Sequence, residues 1–203
     1  MTQIRTGFVL GYHGCDKSIA DAVIAGSKLK SSAEKYDWLG PGAYFWEGDA
    51  RRALEWAQDR HKRGEIKEAA VLGAVIDLGN CLDLTTRDDL ELLKDAYASL
   101  KKAFDAAGKN LPENRDPARG GMDKLLRYLD CAVIEHLHEN IKADSEEHTD
   151  EAFPSIRPFD TVRGLFLEGS ALYPGGGFFT HTHTQIAVRN ERSIIGYFWP
   201  AIP

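Results

Sequence analysis

Two short motifs near the start of the chain and one cluster near its end carry residue types suited to chemistry. The run Gly7-Phe-Val-Leu-Gly-Tyr-His13 is apolar, β-branched and aromatic, and it reads as a buried strand ending on His13-Gly14-Cys15. An imidazole and an unhindered glycine backbone would face a cleft together at that strand end. The second motif, Gly40-Pro-Gly-Ala-Tyr-Phe-Trp46, is a turn followed by an aromatic strand, and the helix after it bears Trp56. Late in the chain come Glu168 and then His181-Thr-His183-Thr-Gln185. Strand alternation would put His181, His183 and Gln185 on one face. No third ligand accompanies the two histidines, so an acceptor-side or structural role is expected for them rather than a metal site. Cys15 reads as a strand-end core thiol, because no base is placed beside it.

The elements that must hold these residues follow from periodicity and caps. Asp16 or Ser18 caps a helix through Ile24, stopped by Gly26, and Asp49 caps the helix of Ala53, Trp56 and Ala57. Ala69 to Leu78 is the most apolar strand, and Leu82-Asp-Leu84 is expected to continue its sheet. Thr85 or Thr86 caps a helix over Asp88 to Ala107, with Leu90, Leu93, Tyr97, Leu100 and Phe104 as its core face. After a loop from Asn110 to Gly121, a helix from Met122 to Ile141 turns Leu125, Leu126, Leu129, Val133, Leu137 and Ile141 inward. His136 and His138, two apart, read as surface or helix-end histidines, and Ala143 to Asp150 as an acidic loop. Thr161 to Leu167 is a strand, Glu168 to Gly177 a loop, and Thr184 to Val188 a strand against which Ser193 to Trp199 pairs back. Strand and helix first, helices in the middle and hairpins last give an α+β fold in one domain spanning residues 1–203.

Bulk properties limit the function classes. With 31 acidic against 25 basic residues the net charge is −6, which disfavours non-specific binding to a polyphosphate backbone. Arg5, Arg51, Arg52, Arg163, Arg189 and Arg192 would line a local groove or, more ordinarily, form a solvated face. Three scattered cysteines give no disulfide framework. With no signal-like N-terminus and no long apolar run, the expected location is cytoplasmic.

Taken in order, His13-Gly14, then Gly42-Ala43-Tyr44-Phe45, then Ala53-Leu54-Glu55-Trp56-Ala57, and the late strand Gln185-Ile-Ala-Val188 followed by Ile194-Ile195-Gly-Tyr197 resemble the ADP-ribosyltransferase superfamily, in its diphtheria-toxin and poly(ADP-ribose) polymerase branch. The resemblance covers the first sixty and last forty residues. It implies a split β-sheet core with a helical insertion at about 85–143, and NAD+ as co-substrate. Tyr44 and Trp56 would sandwich the flat, charge-delocalised nicotinamide ring. The Gly14 backbone would hold the carboxamide, and His13 would bond a ribose hydroxyl of the adenosine half. Cofactor-binding residues on this reading are His13, Gly14, Tyr44 and Trp56, and catalytic residues are Gln185, His13 and Tyr44.

The departure is at the third motif, where active relatives carry Glu. Here Thr184 or Gln185 stands, Gln185 being favoured, and Glu168 is a substitute carboxylate if it is not a solvated loop-end charge. A glutamine orients ribose but brings no charge to an oxocarbenium-like transition state. Chain elongation is therefore not expected. The resemblance implies a mono-ADP-ribosyltransferase, of the toxin or phage-defence kind, acting on a protein or nucleic-acid acceptor and accompanied by an antitoxin partner. The alternatives are a catalytically weak NAD or ADP-ribose-binding module and an NAD glycohydrolase.

Overall fold

The computed structural model describes residues 7–116, 123–147 and 157–201. Seven strands form one sheet: β1 (Phe8–Asp16), β2 (Ala43–Glu47), β3 (Ala69–Asp77), β4 (Cys81–Asp83), β5 (Thr161–Phe166), β6 (His183–Val188) and β7 (Ile194–Phe198). Four helices accompany them: α1 (Lys17–Ile24), α2 (Ala50–Lys62), α3 (Arg87–Ala106) and α4 (Tyr128–Glu147). The fold is α+β, as expected. The sheet order is β4-β5-β6-β2-β1-β3-β7. Every neighbouring pair is antiparallel except β4 with β5.

That order forces the sheet to roll. Only residues 78–80 join β3 to β4, although the two strands stand five positions apart. In a flat sheet five spacings would span about 24 Å. Four extended residue steps reach only about 14 Å. The concave face closes on Ala43, Phe45, Ala74, Ile76, Leu78, Cys81, Ile186 and Val188. The corner is fastened to the later chain: Gly79 takes φ +56°, Thr161 Oγ1 donates to Leu78 O at 2.6 Å, and Asn80 Nδ2 donates to Arg157 O and Pro158 O. Leu82-Asp-Leu84 continues the same sheet, as expected from sequence, but not beside β3. Its strand lies at the opposite edge.

On the convex face α2 covers β1 and β3, with Ala53 and Ala57 fully buried. The inserted helices α3 and α4 cover the other half through Leu82, Leu100, Ile134, Leu137, Val162 and Ala187. α1 closes one end against Cys15 and Leu72. With both faces covered, β3 reads as a continuous apolar run.

The caps hold where the sequence puts them. Asp16 accepts from Ser18 N at 3.0 Å, Asp49 from Arg52 N at 2.9 Å, and Thr86 caps α3 by accepting from Asp89 N. Other expectations change. Ser193 to Trp199 does not pair back on β6; β7 crosses to pair with β3 at the far edge. Leu90 and Tyr97 are exposed, and the buried face of α3 is Ala96 and Leu100. α4 begins at Tyr128 rather than Met122, which lies outside the described residues; Leu126 instead makes a bridge with Arg115, and Leu125 is exposed. At its other end α4 runs on to Glu147, with Ser145 Oγ donating to Ile141 O, where an acidic loop from Ala143 was expected; residues 148–150 fall outside the description. His138 is buried, not a surface residue, with its ring edge-on to Phe159.

Candidate functional site

The expected triad sits on three successive strands of the sheet: Gln185 on β6, Tyr44 on β2 and His13 on β1. The β1–β2 ladder pairs Gly11 with Glu47 and Tyr12 with Trp46 and stops there. Where it would continue, the His13 ring bridges instead, with Nδ1 2.8 Å from Tyr44 O. A carbonyl only accepts, so Nδ1 carries the proton. Burial lowers the pKa of His13, opposed by that hydrogen bond and reinforced by Arg60. At neutral pH the ring is therefore uncharged and presents Nε2 as an acceptor.

Register assigns the faces. Trp46 stands opposite Gln185, and Gln185 opposite Gly164, all on the convex side. Tyr44, two residues from Trp46, shares that side. His13 leaves toward the concave side, where its ring meets Phe45 at 5.8 Å. The interrupted ladder is where His13 reaches Tyr44, through the backbone rather than the phenol.

The Tyr44 hydroxyl is already engaged. It donates to Gly40 O at 2.8 Å and accepts from Leu39 N at 3.0 Å. It thereby fastens the Gly40-Pro-Gly42 turn, in which Gly40 takes φ +73°. Burial drives the phenol pKa far above its ordinary value. Tyr44 thus offers no titrating group, and it packs against the core that contains Leu39, Val162 and Ala187. Trp56 lies against Trp46, with centroids 5.7 Å apart, and under the Arg60 guanidinium at 4.9 Å. Among the described residues its direct ring partner is Trp46, not Tyr44.

Gly14 has a structural reason to be glycine. A Cβ there would overlap the Ala53 carbonyl oxygen and press on Ala57 Cβ, so its open side is filled by α2. The expectation that this open side admits a ligand is corrected to that extent.

Glu168 is not a solvated loop-end charge. Both its oxygens accept from Arg52 Nη2, at 3.1 and 2.9 Å, and both side chains are about five-sixths buried. The Glu168 carboxylate also lies 3.9 Å from His183 Nδ1, which itself donates to His181 O at 2.7 Å. His183 stacks on Phe166 at 5.5 Å, and burial lowers its pKa. Of the expected trio, His183 and Gln185 share a face of β6, while His181 precedes the strand. Thr184 points to the other side. Among the described residues no cluster of three or more His, Cys, Asp or Glu could hold a metal ion. Cys15 is buried against α1 and burial raises its pKa to about 11, which fits a core thiol.

The arginines do not line one groove. Arg52 serves Glu168, Arg163 is held by Glu47 and Asp83 on the concave side, Arg189 donates to Pro41 O, and Arg51 and Arg192 are exposed. Arg5 lies outside the described residues. A recess of about 560 Å³ lies between α1 and the α2–β3 turn, lined by Asp16, Ser18 and Lys67 among others, and contains none of the expected site residues.

Compared with known families, curated proteins and solved structures, the chain matches none. Sequence reasoning missed Trp38 and Arg60, and named Arg52 only as a groove or surface cation. Trp46 was visible as part of an aromatic strand. Nothing in local spacing connects Trp38 to Gln185 or Arg52 to Glu168, since both pairings span more than a hundred residues.

Proposed function

We propose that the chain is a mono-ADP-ribosyltransferase that cleaves NAD+ and passes ADP-ribose to a macromolecular acceptor. One observation carries this reading: His13, Tyr44 and Gln185 fall on adjacent strands, at a point where the His13 imidazole interrupts the sheet. The resemblance implies a split sheet with a helical insertion; here one seven-stranded sheet carries α3 and α4 between β4 and β5, and its β1–β2 ladder is only two residue pairs long. In the reaction the bond between nicotinamide nitrogen and ribose C1′ breaks and its electron pair neutralises the pyridinium. A lone pair of the acceptor bonds C1′, and the acceptor releases a proton. On the convex face the aromatic patch would hold the ring and Gln185 would orient the nicotinamide ribose; the neutral His13, whose ring leaves toward the concave side, would accept from a ribose hydroxyl only through the break in the sheet. A toxin or phage-defence setting in the cytoplasm, with an antitoxin partner, goes with this reading. No helix among the described residues is long and apolar enough to cross a membrane.

A binding module is the second reading, favoured by charge. Gln185 is neutral and Glu168 is compensated by Arg52, so neither brings net negative charge to a developing oxocarbenium ion. Incubation with NAD+ labelled in its adenylate half, alone and with cell lysate, separates the readings. Transferase activity puts label on protein or nucleic acid, a glycohydrolase releases free ADP-ribose, and a binding module leaves NAD+ intact while retaining it in equilibrium dialysis. Intact NAD+ with no retention would sink all three.

A further inference from the structure

Gln185 does not stand free in the patch. Trp38 Nε1 lies 2.6 Å from its Oε1. An indole N–H only donates, so the atom facing it is the amide oxygen, and the amide nitrogen is turned away. Three separate parts of the chain are shaped for this contact. Tyr44 pins the Leu39–Gly40 turn on which Trp38 rides. Phe166 meets the Trp38 ring edge-on at 5.0 Å. Gly164, beside Gln185 on β5, leaves room for the indole: a Cβ there would stand 2.7 Å from Trp38 Cη2 and 3.1 Å from Leu39 Cδ2. Gln185 itself is half-buried, so its rotamer is confined by Trp46 and Trp38 as well as bonded.

We infer that Trp38 is a positioning residue that locks the Gln185 amide, oxygen inward, so that the site presents a fixed hydrogen-bond donor to an oxygen acceptor on the ligand. The amide of a free glutamine can rotate and present either end. With its oxygen held by an obligate donor, this one offers two N–H groups and no outward acceptor. The ligand group that fits is an oxygen with an available lone pair, which on the NAD+ reading above is a hydroxyl of the nicotinamide ribose acting as acceptor. The lock is a statement about Trp38 and Gln185 and does not depend on that ligand.

Two measurements test it. In ¹H–¹⁵N spectra of the ligand-free protein, Gln185→Leu should move the Trp38 indole N–H resonance and speed its exchange. Gln185→Glu should keep that resonance slow-exchanging and shift it downfield, because a carboxylate is a stronger acceptor for the same donor. An unmoved indole resonance in folded Gln185→Leu overturns the lock whether or not the protein cleaves NAD+. In turnover, Trp38→Phe keeps the ring against Phe166 and removes only the donor. It should lower kcat about tenfold or more while KM stays within about twofold, as loss of an orienting hydrogen bond demands. Unchanged kcat in Trp38→Phe overturns the positioning role. A wild-type protein inert toward NAD+ brings down the transferase reading and leaves the spectroscopic result to decide the lock.

Discussion

At the scale of the residue, the candidate site is a set of side chains with restricted hydrogen-bonding polarity. His13 is neutral and accepting at Nε2, Tyr44 has spent its hydroxyl on the backbone, and Gln185 donates. On the transferase reading, Gln185 would matter most where ribose charge and geometry change, in the transition state. Gln185→Ala is expected to lower kcat about 10²-fold with a much smaller change in NAD+ binding, the size seen when one preorganised donor is removed. Gln185→Glu should fold, because its carboxylate still accepts from Trp38, and should preserve or raise NAD+ cleavage by supplying charge. Steady-state kinetics with dialysis binding checks both. Equal kcat in the wild type and the Ala variant would take Gln185 out of the reaction, leaving Glu168 to examine.

At the scale of the element, helix α2 is fixed on the sheet by a glycine. Gly14 lets the Ala53 carbonyl approach β1 more closely than any side chain would allow. A backbone oxygen cannot swing aside as a flexible side chain can. Gly14→Ala should destabilise by about 1–3 kcal/mol, the range for overpacking a closed core. Gly177→Ala, with open space around it, should be near neutral. Urea midpoints of the two variants test this, and equal midpoints would show that α2 is free to shift. The same elements mark how far sequence reading reaches. Caps at Asp16, Asp49 and Thr86 and the strand Ala69–Asp77 were legible because they depend on local chemistry and period. So was the order of His13, Tyr44 and Gln185 along the chain. The β7–β3 pairing and the place of β4 were not, because the hydrophobic pattern of a strand names its faces and not its neighbours. Glu168 looked solvated because its partner, Arg52, lies on another element.

At the scale of the whole molecule, burial lowers the pKa of three histidines among the described residues: His13, His138 and His183. The pKa of His138 falls to about 3, chiefly by desolvation, with Arg189 adding to it. Its folded pKa lies below the unfolded value of about 6.5, so the unfolded chain takes up protons that the folded one refuses. Stability is then full above pH 6.5 and falls as the pH drops through the window down to about 3. Between those two values His138 contributes a slope of up to about 1.4 kcal/mol per pH unit. Unfolding midpoints measured from pH 8 to pH 5 should decline below 6.5, and His138→Leu should flatten that decline. An identical decline in the variant would mean that His138 is protonated in the folded state.

The interleaved sheet has a further consequence, in time rather than in space. β1, β2 and β3 are made first, yet β2 finds its outer neighbour only in β6, and β3 finds its own only in β7. Gln185 emerges about 140 residues after Tyr44. At ordinary synthesis speeds that interval is roughly 7 to 28 s. Throughout it the nascent N-terminal strands stay unpaired on one side and the triad lacks its third member. On the NAD+ reading, the chain would thus stay inert until β6 has left the ribosome, and a product that stops short of Gln185 would stay inert for good.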